Sequence, residues 1–168
     1  MNPSAATAGD LLALANEHQN AGDAAAALAV YQRVLPLLTR EEQPHARARA
    51  LFQMALLARM EGDVAGAFAC YDELLPLADD IGDRRAHGLS LAMRGQLVFL
   101  QGDKAAGLQA MIRGLQELRS CNAAEAEHLT CHTRFFSRRL PRAEFERCVQ
   151  VATEDAELRR WLLSAEGC

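Results

Sequence analysis

Aromatic side chains are scarce in this chain, with six Phe, two Tyr and one Trp among 168 residues. A core built mainly on large rings is therefore excluded. Half of the residues are nevertheless apolar, and the mean hydropathy is near zero at −0.10. An Ala- and Leu-rich mixture of that kind favours helices. There is no run of 18 apolar residues, so no stretch reads as a membrane-spanning helix. Neither sign of charge dominates: 18 Lys and Arg against 22 Asp and Glu give a net charge of −4. Charge alone thus points to neither a nucleic-acid partner nor an anionic membrane. The five cysteines, at 70, 121, 131, 148 and 168, are odd in number and form no CxxC pair. That pattern argues against a secreted disulfide framework and for reduced thiols. The opening MNPSAATAGD has neither the basic region nor the apolar stretch of a signal peptide, and the expected location is the cytoplasm.

Catalytic signatures are equally sparse. The chain has no phosphate-cradling GxxxxGK, no GxSxG elbow, no HExxH and no plausible Ser/His/Asp arrangement. No enzyme and no cofactor are expected. One cluster carries possible chemistry: HLTCH places His128, Cys131 and His132 at i, i+3 and i+4, with Cys121 upstream. Four such ligands would suit a tetrahedral zinc ion or a thiol-based response. The same stretch also reads as an ordinary packing stripe of Ala124, His128, Cys131 and Phe135, and that reading is preferred, so no metal site is assigned. Around Pro141, the residues Arg134, Arg138, Arg139, Arg142 and Arg147 make a basic corner, relieved by Glu144 and Glu146. It suits an acidic or phosphate-bearing partner, or simply a solvated turn.

What the chain does contain is a rhythm. Residues 22 to 38, GDAAAALAVYQRVLPLL, match residues 62 to 78, GDVAGAFACYDELLPLA, at nine of seventeen positions. A third copy, GDKAAGLQAMIRGLQEL, stands at 102 to 118, so the period is 40 residues. Regular repeats of this length mark a solenoid, in which each unit buries its apolar face against its neighbours. Gly22, Gly62 and Gly102 suit the left-handed conformation that ends a helix, and Asp23, Asp63 and Asp103 suit the cap that starts the next. Before each turn lies an apolar segment of helical period, and strand-like alternation is absent. Ala27, Ala67 and Gly107 stand one helical turn before Tyr31, Tyr71 and Met111, a small-then-large spacing that lets paired helices approach closely. Pro36 and Pro76 are expected to bend or end the second helices of the first two copies.

A small residue, then Gly-Asp, then A-x-x-x-Y resembles the tetratricopeptide repeat, over roughly residues 8 to 120. The forty-residue version is similar to the elongated type of that family, and it lacks the family's Trp near the repeat start. The expected fold is all-α: a right-handed TPR-like superhelix of three helical hairpins (about 8–41, 42–82 and 83–121), with a C-terminal capping helix pair over 122–168, in a single domain of residues 1–168. The last part, 141 to 165, carries Phe145, Cys148, Val149 and Ala152 on one stripe. Leu158, Trp161 and Leu162 follow on another, with a break expected at Thr153-Glu154-Asp155.

What the resemblance implies is a non-enzymatic adaptor or scaffold that holds a peptide or helix of a partner protein in its concave face. The first helix of each unit lines that face. The groove positions then become Leu12, Asn16, Gln19 and Asn20; Phe52, Leu56, Arg59 and Met60; and Ala92, Gln96, Phe99 and Leu100. Only Asn16 and Arg59 fit a clamp for a terminal carboxylate, so the apolar face of a helix is the expected ligand. No nucleic acid or membrane is expected as a partner. The alternative is a self-associating homo-oligomer whose C-terminal helix occupies the groove, its own or that of a second copy.

Overall fold

A computed structural model describes residues 6 to 164. Among them there are nine α-helices, one 3-10 turn and no strand. The helices are α1 (Ala8–Asn20), α2 (Ala24–Val34), α3 (Pro44–Met60), α4 (Val64–Asp80), α5 (Arg84–Leu100), α6 (Lys104–Ser120), α7 (Glu125–Ser137), α8 (Arg142–Ala152) and α9 (Ala156–Leu163). Leu35–Leu37 form the 3-10 turn after α2. The repeat is therefore three helical hairpins, α1/α2, α3/α4 and α5/α6.

The turn chemistry is the expected one. Gly22, Gly62 and Gly102 have φ of 78°, 80° and 111°, a region that L side chains rarely enter. The next residue in each case, Asp23, Asp63 or Asp103, accepts a hydrogen bond from the backbone N–H three positions on and caps the helix that follows. The same device also closes the joint between hairpins: Gly82 has φ 69° and Asp83 caps α5. Asn122, with φ 52°, takes the glycine's place before α7. Helix α1 starts on a reciprocal cap, in which Thr7 Oγ1 accepts from the Asp10 N–H and Asp10 Oδ2 accepts from the Thr7 N–H.

The two prolines behave differently. Pro36 ends α2 at Val34 and leaves the 3-10 turn in its place. Pro76, expected to do the same or to bend its helix, lies inside α4, which runs on to Asp80. Beyond it Leu77 and Ala78 are buried at 1% and 0% exposed, while Pro76 itself faces solvent.

The chain divides into two compact units, one up to Ile81 and one from Gly82 onward. In the first, Leu11, Ala15, Ala27, Tyr31, Val34, Leu38, Met54 and Leu57 form one apolar cluster. Arg47 of α3 locks it. Its Nη1 donates to the carbonyls of Leu35 (2.9 Å) and Leu38 (2.8 Å), at the end that Pro36 leaves open, and its Nε donates to Glu73 Oε1 of α4 (2.8 Å).

In the second unit α6 is central, packed by α5, α7 and α8. Leu108, Met111, Ile112, Leu115 and Leu118 of α6 meet Phe99, Leu129, Phe136, Phe145, Val149, Leu158 and Leu162. The break before α9 falls at 153–155 as expected, and both stripes point inward, with Phe145, Cys148, Val149, Leu158 and Leu162 all buried. Helices α5 and α6 touch backbone to backbone. A Cβ on Gly107 would lie 2.6 Å from the Gly95 carbonyl oxygen, and one on Gly114 would lie 2.4 Å from that of Gly88. The equivalent places in the earlier hairpins hold small residues too: Ala15 and Ala27, then Ala55 and Ala67, all 0% exposed.

Helix α7 corrects one expectation. Of the stripe Ala124, His128, Cys131 and Phe135, only Cys131 is partly covered; the other three are exposed, Phe135 at 51%. The buried face is instead Leu129, Thr133 and Phe136. Thr130 and Thr133 tolerate burial because each hydroxyl donates to the carbonyl four residues back, at 2.6 and 2.8 Å.

Candidate partner-binding surface

On α1 the predicted groove positions are mostly polar. The Tyr31 hydroxyl donates to Asn16 Oδ1 at 3.0 Å and lies 3.4 Å from Gln19 Oε1; Gln19 Nε2 donates to Gln53 Oε1 of α3 at 2.8 Å. Asn16 and Gln19 thus serve first as partners for a tyrosine whose side chain is 2% exposed. Asn20 is exposed beyond them. Beside this network a small cavity of about 70 Å³ is lined by Leu12, Asn16, Tyr31, Arg49, Ala50 and Gln53. Sequence reasoning missed Arg49 and Gln53. Neither carries a signal in the sequence, because their place beside the cavity depends on how α1 and α3 meet.

In the second hairpin the tyrosine loses its partner. Tyr71 is 0% exposed and its hydroxyl has no hydrogen bond. One repeat on from Asn16 stands Leu56, which offers no acceptor. Burial pushes the Tyr71 phenol up to about 12.

Along α3, Phe52, Leu56 and Met60 stand at i, i+4 and i+8 and so share one face. Phe52 and Leu56 are partly buried, and Met60 is 70% exposed. Arg59, beside Met60, is also partly buried. Of these four predicted positions, all on α3, only Met60 is fully exposed.

The third hairpin does not present the same face. Phe99, expected in the groove, is a core residue, 3% exposed, with its ring edge-on to Phe136 of α7 at 5.0 Å. Ala92 is likewise buried at 1%, whereas Gln96 is partly buried and Leu100 is 63% exposed. The reason is local to this unit: α7 covers the turn of α5 that carries Phe99, so a position that is polar in the other repeats becomes an anchor for the helices that follow.

The HLTCH segment is not assembled as a ligand set. The rings of His128 and His132 lie 5.0 Å apart, tilted by 37°, and the Cys121 thiol donates to the Leu118 carbonyl at 3.4 Å. Among the described residues no three His, Cys, Asp or Glu side chains gather as a metal-holding group. Cys70, Cys121 and Cys148 are free thiols, but Cys131 is disulfide-bonded, which corrects the expectation that all five are reduced. Burial holds the Cys70 thiol up at about 11, so it is not an activated nucleophile.

Among the described residues no helix is long and apolar enough to cross a membrane. No protein-family model and no curated protein matches the chain.

Proposed function

We propose that this chain is a TPR-like protein, a right-handed superhelix of three hairpins closed by its C-terminal helices. In this reading it acts in the cytoplasm as an adaptor or scaffold, without catalysis or cofactor, and holds an apolar helix face of another protein. The three hairpins with one turn chemistry and one small-residue contact register support the fold part of this reading.

The observation that carries the binding part is the row Phe52, Leu56 and Met60 on α3. A soluble helix normally turns such a row inward. Here it begins partly covered and ends with Met60 in solvent. A partner helix with apolar residues at matching spacing would cover it, and a few such anchors carry most of the energy of an interface.

Capture from native lysate, with a Leu56→Asp, Met60→Asp double variant as control, tests the reading. A partner held by the wild type and lost by a variant of equal melting temperature supports it. An identical captured set from both proteins would refute it.

A further inference from the structure

Cys131 is disulfide-bonded, whereas Cys70, Cys121 and Cys148 carry free thiols. The bond needs a second sulfur, and the one cysteine left in the chain is Cys168. That residue lies outside the described span, which ends at Ser164. The pairing therefore requires that Ser164 stand within a short tether of Cys131.

Two arginines of the corner around Pro141 put it there. Arg134 follows Cys131 by three residues on α7, close to one helical turn, and is only 9% exposed. Its Nη2 donates to the Ser164 carbonyl at 2.7 Å, and its guanidinium lies 4.8 Å over the Trp161 ring of α9. Arg142 of α8 holds the preceding carbonyl, that of Leu163, through Nη2 at 2.9 Å. The end of α9 is thus fixed to the turn of α7 that follows Cys131. From Ser164 to Cys168 there are 168 − 164 = 4 residues, which extended reach about 13 Å. Bridged cysteines keep their Cα atoms about 4.4 to 6.8 Å apart, which lengthens the tether again. Its total exceeds one arginine side chain and one helical turn together, so the pairing asks no shift of α7 or α9.

We infer that Cys131 and Cys168 form a reversible redox latch. Oxidised, it ties the C-terminal segment to α7 and closes a covalent loop that contains α8 and α9. Reduced, it leaves α9 to its own contacts. The bond forms by exchange with oxidised glutathione. Each cysteine gives up its thiol proton and the pair loses two electrons as the Sγ–Sγ bond forms; the glutathione disulfide breaks and takes up both electrons and both protons as two thiols. In a reducing compartment the latch is open at rest, and an oxidising shift closes it.

Helix α9 is the element most affected. Its eight residues are too few for a stable helix alone. Without the tether it keeps the buried Leu158 and Leu162 and the two arginine bonds to its last carbonyls. The latch lies apart from the α3 row and does not depend on the reading of that row.

The test uses the full chain, equilibrated with oxidised glutathione, unfolded in iodoacetamide and cut with trypsin without reductant. Mass spectrometry should find residues 120–134 joined to 161–168, with Cys121 alkylated inside the joined pair. Hydrogen exchange then reads the device. Reduction by a phosphine should speed amide exchange in residues 156–163 by about tenfold or more, because the loop constraint is lost. Cys168→Ser should show the fast exchange without phosphine, and Cys121→Ser should behave as the wild type in both states. A link through Cys121, a disulfide-joined dimer, no link at all, or exchange in α9 that ignores reduction would overturn the inference.

Discussion

Replacing Gly107 by Ala tests how close α5 and α6 lie. The new methyl carbon would stand 2.4 Å from the Phe99 backbone nitrogen, 2.6 Å from the Gly95 carbonyl oxygen and 2.6 Å from Phe99 Cβ. Ordinary contact begins at 3.4 Å, so relief requires 3.4 − 2.4 = 1.0 Å of movement. Two of the three atoms are backbone, and no flexible side-chain tip can swing aside, so the helices themselves must part. Parting loosens Leu108, Met111 and Leu115, which are 0%, 1% and 0% exposed. Against this, Gly→Ala inside a helix gains up to about 1 kcal/mol of intrinsic propensity. Overpacking costs about 1 to 3 kcal/mol, and the backbone obstruction puts this site at or above the upper end. The net expectation is a loss of about 2 kcal/mol, or about 4 to 8 °C in melting temperature for a chain of this size. Trp161, the single tryptophan, sits in α9 and reports the unfolding of the second unit by fluorescence. Gly9→Ala is the control, since its nearest neighbour is Thr7 Oγ1 at 3.6 Å and its stability should be unchanged or raised. A Gly107→Ala protein that melts at or above the wild type would refute the backbone-contact argument.

The two repeat tyrosines should respond oppositely to loss of the hydroxyl. Tyr31→Phe removes the donor to Asn16 and should cost about 1 kcal/mol, whereas Tyr71→Phe removes a buried unpaired group and should be neutral or stabilising; urea midpoints of the two variants decide it. A pH dependence follows from Cys70. Its thiol stays protonated up to about 11 in the folded chain but ionises near the ordinary value of 9.0 when unfolded, so the unfolded state binds fewer protons between those values. Stability should therefore fall as pH rises from 9 toward 11, and Cys70→Ala should flatten that fall in a melting-temperature series.

The sequence made the turns legible because their chemistry is local. A glycine that must take positive φ, followed by an aspartate that must cap, needs no knowledge of the rest of the chain. The same pair at Gly82-Asp83 stands twenty residues after Gly62-Asp63, at half the forty-residue period, so the match between copies does not mark it. Phe99 was not legible in the same way. The register that the resemblance implies, counted back from the Gly102 turn, places it in the groove beside its counterparts Gln19 and Arg59, and what it packs against is Phe136, far along the chain. The face of α7 misled for a related reason: two threonines and Arg134 point inward, their polar atoms satisfied by nearby carbonyls, so apolar periodicity marked the wrong side. On the candidate surface, Phe52, Leu56 and Met60 come from the register that the repeat resemblance implies, counted back from the Gly62 turn. The Arg49 and Gln53 frame of the neighbouring cavity could not be read in this way, because it depends on how α1 and α3 meet.

The recurrent Gly-Asp corner also bears on how the chain folds. Each reversal is set by residues within a few positions of one another, so it can form before any distant surface has been found. Four such corners, at 22, 62, 82 and 102, give the polypeptide four separate starting points. Structure can then grow from any of them over short loops, which is the condition for rapid assembly in a helical chain.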